Sequence, residues 1–77
     1  MGYRQINDGL EEVSRAVRLA IQSRDDIAYA EAMAWDATLT WNATRSYFDQ
    51  RPAWMARQKA LAWAAHAERL RQEKAEP

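Results

Sequence analysis

Residues 49–52 read Asp49-Gln50-Arg51-Pro52, and this short segment is the clearest interruption in a chain that otherwise favours helix. Proline is preferred at the first position of an α-helix, and it disfavours helical geometry at the residue before it. The segment therefore predicts that one helix ends near residue 48 and that another begins at Pro52.

The chain after Pro52 predicts a helix over about residues 52–72, followed by a frayed tail over residues 73–77. Its apolar residues fall on two sides of the helix, and one of these sides has heptad-like spacing. The heptad-like side consists of Ala56, Ala60, Trp63, Ala67 and Leu70, and the second side consists of Trp54, Leu61 and Ala65.

The chain before the interruption predicts a helix over about residues 26–48. At 100° per residue, one apolar side consists of Ile27, Ala30, Ala34, Ala37, Trp41, Thr44 and Phe48, with Met33 at its edge. Trp35 and Leu39 fall on another side, together with Ala28 and Ala32. Two apolar sides on one helix predict two neighbouring helices.

The first predicted helix covers about residues 9–24. Asp8 follows Asn7 in a turn-forming context and has Glu11 three residues later, which is typical of a capped helix start. The apolar side of this helix consists of Leu10, Val13, Val17, Ala20 and Ile21. Ser23 and Asp26 have capping-box spacing, which predicts a break near Arg24. Because no glycine closes the helix there, one bent helix through this point is the alternative.

Composition supports an all-α protein. The chain has 16 alanines but only two glycines and two prolines, and strand-forming residues show no sustained alternation. The 77 residues are enough for one domain, residues 1–77. We therefore expect a small three-helix bundle that is dominated by a long antiparallel hairpin of helices 2 and 3. Alanines interspersed with tryptophans predict closely approaching helices with indole rings between them.

The small size of the chain predicts a marginal hydrophobic core. No cysteine is present to supply a disulfide or a thiolate–zinc site. We expect stability to be supplemented by a partner, either a larger protein or a second copy of the chain in a homodimer. The charges are unevenly spread: residues 26–50 carry one base and four acids, whereas residues 51–77 carry six bases and three acids. This asymmetry favours attraction between helices 2 and 3, or with a partner.

The N-terminal residues contain no apolar segment typical of a signal peptide, and the longest runs without Asp, Glu, Lys or Arg are eight residues. A membrane-spanning helix needs about 20 apolar residues. We therefore expect no membrane association and a cytoplasmic location, which would be the host cytoplasm for a phage-encoded chain.

No residue pattern indicates catalysis, and we expect neither enzymatic activity nor a cofactor. His66 is the single histidine, and positions 62 and 70 hold Ala and Leu rather than a carboxylate. A zinc site on this helix is therefore not expected. No serine has the context of an activated nucleophile, and no glycine-rich phosphate loop is present.

The strongest candidate for a binding site is the segment 45–59, in which four bases and one acid alternate with aromatic residues. Arginine, tyrosine and tryptophan dominate protein-binding hot spots. The predicted partner-binding residues are Arg45, Tyr47, Arg51, Trp54, Arg57 and Lys59. The alternative interpretation is an ordinary turn, with Phe48 and Trp54 packed beneath it. A second candidate face on helix 2 consists of Tyr29, Asp36 and Thr40, with Tyr47 on the same flank.

Three functional classes remain. The favoured class is a protein-binding module that occupies a surface on a larger protein or complex. By analogy of size alone, it could be an accessory protein or an inhibitor of the kind that phages direct against host defence complexes. The second class is a nucleic-acid-binding accessory protein that uses the basic and aromatic segment, but the zero net charge argues against it. The third class is a self-associating structural bundle.

Overall fold

The computed structural model describes the backbone of residues 2–75 and the side chains of residues 9–75. Three α-helices follow one another: α1 (Gly2–Ser23), α2 (Asp26–Thr44) and α3 (Arg51–Ala75). No strand occurs in this described part of the chain. The predicted all-α fold is confirmed, and α2 packs most closely on α3, as expected for a dominant hairpin.

Two helices extend beyond their predicted ends. The first helix begins at Gly2 rather than near residue 9, so Asp8 lies inside it and is not its N-cap. The third helix begins at Arg51, one residue before Pro52, and continues to Ala75 rather than residue 72. Pro52 still lies in the first turn, where its missing N–H would have no helical acceptor. Of the predicted frayed tail, residues 73–75 are helical, and residues 76–77 lie outside the described part.

The second helix ends at Thr44, four residues before the predicted end. The carbonyl groups of Arg45 and Tyr47 both accept a hydrogen bond from the Gln50 side-chain amide. The distance from Gln50 Nε2 to the Arg45 carbonyl oxygen is 3.1 Å. Because the Gln50 amide binds these carbonyls, they need no helical partners further along the chain. Thr44 donates its hydroxyl to the Thr40 carbonyl at 2.8 Å. Such bonding within a helix slightly destabilises it.

The α1–α2 connection shows that these helices are separate. Arg24 has a positive φ of 53°, and the Arg24 and Asp25 amides donate to the carbonyls of Ile21 and Ala20. This is the Schellman arrangement, with an arginine at the position that usually holds glycine. Asp25, and not the predicted Ser23, caps α2, because its carboxylate accepts from the Ala28 amide at 3.0 Å.

The three helices lie side by side, with α2 in the middle. Ala37 faces α3 beside Ala56, whereas Leu39 lies next to Gly9 of α1. Residues two positions apart are about 200° apart around a helix, which puts α1 and α3 on opposite sides of α2. Among the described residues, α1 and α3 have no Cα atoms within 8 Å of each other. The overall dimensions are 48 × 24 × 15 Å.

The hydrophobic core is narrow and built almost entirely from alanine. Among residues 9–75, the buried apolar side chains are those of Val13, Ala20, Ala30, Ala32, Ala37, Ala53, Ala56 and Ala67. The buried alanines agree with the predicted close approach of the helices. The predicted filling by tryptophan is wrong for Trp35 and Trp54, which are exposed. On α1, Val13 and Ala20 of the predicted apolar side are buried, whereas Leu10 and Ile21 are exposed.

Within residues 2–75, no helix combines the length and the apolar character needed to cross a membrane.

Candidate functional site

The connection between α2 and α3, residues 45–50, is held in one conformation by two of its own side chains. Gln50 donates to the carbonyl groups of Arg45 and Tyr47. Asp49 accepts from the Arg51 backbone N–H at 3.0 Å, at the start of α3. The first helical hydrogen bond of α3 follows at once, from the Trp54 amide to the Gln50 carbonyl. A turn held in this way presents its other side chains in a defined arrangement.

Arg51 and Asp49 form the ion pair of this turn. The Arg51 Nη2 atom lies 2.7 Å from Asp49 Oδ2, and Arg51 Nε donates to both carboxylate oxygens. The hydrogen bonds from the Arg51 side chain, followed by the one from its backbone, lower the pKa of Asp49. The same pair raises the pKa of Arg51. Both side chains are solvent-accessible, so a partner carboxylate would have to compete with Asp49 for the guanidinium.

Three large aromatic side chains are exposed around this turn. Phe48 has a relative exposure of 106%, Trp54 of 64% and Tyr47 of 54%. The alternative in which Phe48 and Trp54 pack beneath the turn is therefore wrong. Phe48 was also predicted on the apolar side of helix 2, but the helix ends before it. Outside the helix, its ring no longer follows the helical spacing that would direct it towards α3.

Two of the predicted basic residues contact an aromatic ring that sequence analysis assigned only to the core. The Arg45 and Arg57 guanidinium carbons lie 6.0 Å and 5.8 Å from the centroid of the Trp41 ring. This is within the range of a cation–π interaction. The ring links the end of α2 to the first turns of α3. We call the cluster formed by Arg45, Tyr47, Phe48, Arg51, Trp54 and Arg57 the turn surface.

Lys59 does not belong to the turn surface. It lines a groove between α2 and α3 together with Asp36 and Thr40, two residues of the second predicted face. Lys59 and Arg57 are two positions apart in the sequence, which places them about 200° apart around α3. Their side chains therefore lie on different sides of the helix. The groove thus brings Lys59, from the predicted partner-binding residues, together with Asp36 and Thr40, from the second candidate face.

The groove has a volume of about 330 Å³ and a largely apolar lining. Ala37 and Ala56 are buried within it, and Met33, Met55, Pro52 and Trp63 form apolar parts of its walls. Asp36 lies on the α2 side and Lys59 on the α3 side. The two methionines were not among the predicted site residues. The i, i+3 and i+4 spacing of Met33, Asp36, Ala37 and Thr40 was the available signal.

Tyr29, the remaining residue of the second predicted face, packs against α3. Its ring meets the Trp63 ring edge-on, with centroids 5.7 Å apart, and Trp63 in turn meets the His66 ring at 6.1 Å. Edge-to-face contact is a favoured geometry for aromatic pairs. Tyr47, predicted on the same flank of helix 2, lies outside that helix. The predicted face is therefore divided between a helix contact, the groove and the turn surface.

The arrangement offers recognition chemistry. Cationic, aromatic and apolar groups lie at the surface, and within residues 9–75 no three His, Asp or Glu side chains are grouped closely enough to hold a metal ion. Comparison of the chain with protein-family models, with curated protein sequences and with solved structures finds no match. Its function must therefore be argued from these surfaces.

Proposed function

We propose that this chain is a non-enzymatic protein-binding module that uses its turn surface to occupy a site on a larger protein or complex, as a small inhibitor or accessory protein does. The observation that carries the proposal is the exposure of Phe48, at 106%, on a turn held by Gln50 and Asp49. A contiguous exposed apolar patch typically marks an interaction site.

The composition of the turn surface supports a protein partner. Tyrosine, tryptophan and arginine are the residues that dominate binding energy when they become buried in an interface. The turn is already ordered by its own hydrogen bonds, so binding would require little additional ordering of the backbone. A complementary partner would offer an apolar pocket for Phe48 and carboxylates for the neighbouring arginines.

The nucleic-acid alternative has less support. Phosphate contacts supply most of the affinity for nucleic acid, and Arg51 already forms an ion pair with Asp49. A protein partner can instead draw most of its binding energy from the exposed Phe48. Arg45 and Arg57 lie against the Trp41 ring, which leaves that indole less able to stack on a base. The net charge of the chain is zero, which gives no general attraction to a polyanion.

The first experiment uses the immobilised chain to capture proteins from a lysate of its native host, followed by mass spectrometry and purification of the captured protein. Affinity is then measured for Phe48→Ala and for Leu19→Ala as the matched control. Leu19 is also exposed but lies near the end of α1, at the opposite end of α2 from the turn surface. We expect Phe48→Ala to weaken binding by about thirty-fold, equivalent to about 2 kcal/mol, while Leu19→Ala binds normally.

The arginines are tested separately. Arg51→Ala with Arg57→Ala removes two positive charges from the turn surface, and Arg15→Ala with Arg18→Ala removes two from the exposed side of α1. Only the first pair should weaken capture. If both pairs weaken it equally, net charge and not the turn surface governs binding. If capture is of nucleic acid and its affinity falls steeply with salt, the protein-binding proposal is wrong.

A further inference from the structure

The three helices form a single layer. Helix axes 8–10 Å apart, with Cα atoms about 2.3 Å from each axis, give a three-helix layer about 21–25 Å wide. The observed intermediate dimension is 24 Å. The smallest dimension is 15 Å, larger than the about 5 Å of a flat layer of helices, so the layer is twisted or curved. Globular domains are built from two or three packed layers around a shared core. Here one layer stands alone, which is why its core consists of small side chains between adjacent helices.

The exposed surface area of the chain is also larger than that of a compact monomer. The chain has a solvent-accessible surface of 6249 Å² at a mass of 8.9 kDa. A compact folded monomer of that mass exposes about 4,800 Å². The radius of gyration is 14.1 Å, whereas a compact chain of this length has about 11.5 Å. The excess of about 1,400 Å² exceeds the roughly 800 Å² that each partner buries in a standard protein interface.

One face of the layer has the chemistry for pairing with itself. The groove presents the apolar Met33, Met55 and Trp63 together with an acid on α2, Asp36, and a base on α3, Lys59. Among the described residues, neither Asp36 nor Lys59 takes part in an ion pair. A two-fold symmetric interface brings the same patch of both copies together. Asp36 of each copy can then meet Lys59 of the other.

We infer that a second copy of this chain covers the groove face, so that two layers stack into a two-fold symmetric dimer in which the methionines and Trp63 of both copies become a shared core. The layer measures 48 × 24 Å, which is sufficient for an interface of standard size. Because the net charge of the chain is zero, two copies do not repel each other through their overall charge.

The first test measures molar mass by sedimentation equilibrium between about 1 and 100 μM, which are ordinary working concentrations for a dimer of micromolar affinity. The average mass of the wild-type chain should rise with concentration from near the monomer mass of 8.9 kDa towards twice that value. Met55→Glu places a charge in the groove, and Leu61→Glu places one on another side of the same helix. The two residues have similar exposures, 52% and 56%. Met55→Glu should weaken dimerisation at least about ten-fold, and Leu61→Glu should leave it intact.

The inference is overturned if the wild-type chain is a monomer throughout this range. It is also overturned if Leu61→Glu dissociates the dimer and Met55→Glu does not. Far-UV circular dichroism of both variants must match the wild-type spectrum, so that lost association is not mistaken for unfolding.

A charge-exchange experiment tests the symmetry itself. Asp36→Lys alone and Lys59→Glu alone each put like charges together at both contacts of a homodimer, and both should weaken it by about ten-fold or more. An equimolar mixture of the two variants should restore dimers, because both contacts of the mixed dimer then join opposite charges. Restoration in the mixture cannot arise from a contact within one chain. Failure of the mixture to recover overturns the proposed pairing.

This dimer and the proposed partner binding use different surfaces, so each can fail without the other. Phe48→Ala should leave the molar mass unchanged. Met55→Glu should leave the turn surface able to bind the captured partner. Loss of dimerisation in Phe48→Ala would assign the turn surface to self-association instead, and would contradict the groove as the interface.

Discussion

The two hairpins that share α2 differ in both their connections and their interhelical contacts. The α1–α2 connection is short and contains no large aromatic residue, whereas the α2–α3 connection spans residues 45–50 and exposes Tyr47 and Phe48. Within residues 9–23 of α1, the buried side chains are those of Val13 and Ala20. Between α2 and α3, directional contacts supplement the alanines. These include the Tyr29–Trp63 ring pair and the ion pair from Arg71 to Glu31 at 3.0 Å.

The difference indicates that α2 and α3 form the more firmly fixed hairpin of the molecule. Directional contacts fix the position of α3 along α2, because an edge-on ring pair and an ion pair are lost when one helix slides. Contacts between small apolar side chains are less specific in register. We therefore expect α1 to open locally before α3, with the turn surface and the groove retained on the α2–α3 hairpin.

The largest expected effect compares two buried alanines of α2. Ala30 and Ala32 are both buried but face opposite neighbours, α3 and α1 respectively. Ala30→Leu should lower the free energy of unfolding by about 2–3 kcal/mol, because overpacking forces apart helices with fixed contacts. Ala32→Leu should lower it by about 1 kcal/mol, because α1 can shift. Urea denaturation followed by circular dichroism measures both values.

The hydrogen-exchange pattern provides the control for that comparison. In Ala32→Leu, amides of α1 should lose protection while those of α3 keep it. Equal loss along all three helices would mean that the two hairpins unfold as one unit, and the distinction between them would be incorrect.

The fold was largely predictable because its determinants are local. Pro52, the alanine content and the helical spacing are properties of neighbouring residues, and they placed the start of α3 within one residue of its observed position at Arg51. The end of α2 at Thr44 was missed because it depends on Gln50 turning its amide back to two carbonyls. Nothing in the periodicity before residue 48 indicates that interaction.

The candidate site was predictable only where it is contiguous in sequence. Arg45, Tyr47, Arg51 and Trp54 lie around one turn, as the segment 45–59 predicts. Lys59 was grouped with them because it is near in sequence, although the helix directs it to the groove. Asp36 and Lys59 come together only through the packing of α2 on α3. Their relation depends on tertiary register, which single-helix periodicity does not contain.

The next effect concerns the cap in the short connection. Asp25→Ala removes the carboxylate that accepts from the Ala28 amide, and should lower the free energy of unfolding by about 1 kcal/mol. Ser23→Ala is the matched control, since Ser23 was predicted to cap this helix but does not. Its effect should be within about 0.5 kcal/mol. Thermal denaturation of the two variants decides between the residues, and a larger loss for Ser23→Ala would contradict the assigned cap.

A smaller effect, of opposite sign, is expected at the neighbouring residue. Arg24 has a φ of 53°, a conformation that glycine adopts without steric penalty. Arg24→Gly should therefore raise the free energy of unfolding by about 0.5 kcal/mol, the steric relief being partly offset by the greater flexibility of glycine in the unfolded chain. Arg18→Gly, within α1, should instead lower it by about 1 kcal/mol. Chemical denaturation of both variants gives the comparison, and destabilisation by Arg24→Gly would argue against a strained connection.

The smallest expected effect is a pH dependence of stability that arises from the Asp49–Arg51 ion pair of the α2–α3 connection. Hydrogen bonds from Arg51 lower the pKa of Asp49 below its ordinary value of 3.8 in the folded chain. A carboxyl group with a lowered folded pKa contributes stability above its unfolded pKa, and that contribution is lost as pH falls through the folded pKa. The affected window therefore begins near pH 3.8 and extends to lower pH.

Carbon-detected NMR titration should give an Asp49 midpoint below 3.8 in the wild-type chain. The midpoint should rise in Arg51→Ala and remain unchanged in Arg57→Ala, whose guanidinium lies against Trp41. An unchanged Asp49 midpoint in Arg51→Ala would show that the ion pair does not hold the turn in solution. The ordering attributed to the turn surface would then rest on Gln50 and on the bond from the residue 51 backbone N–H to Asp49.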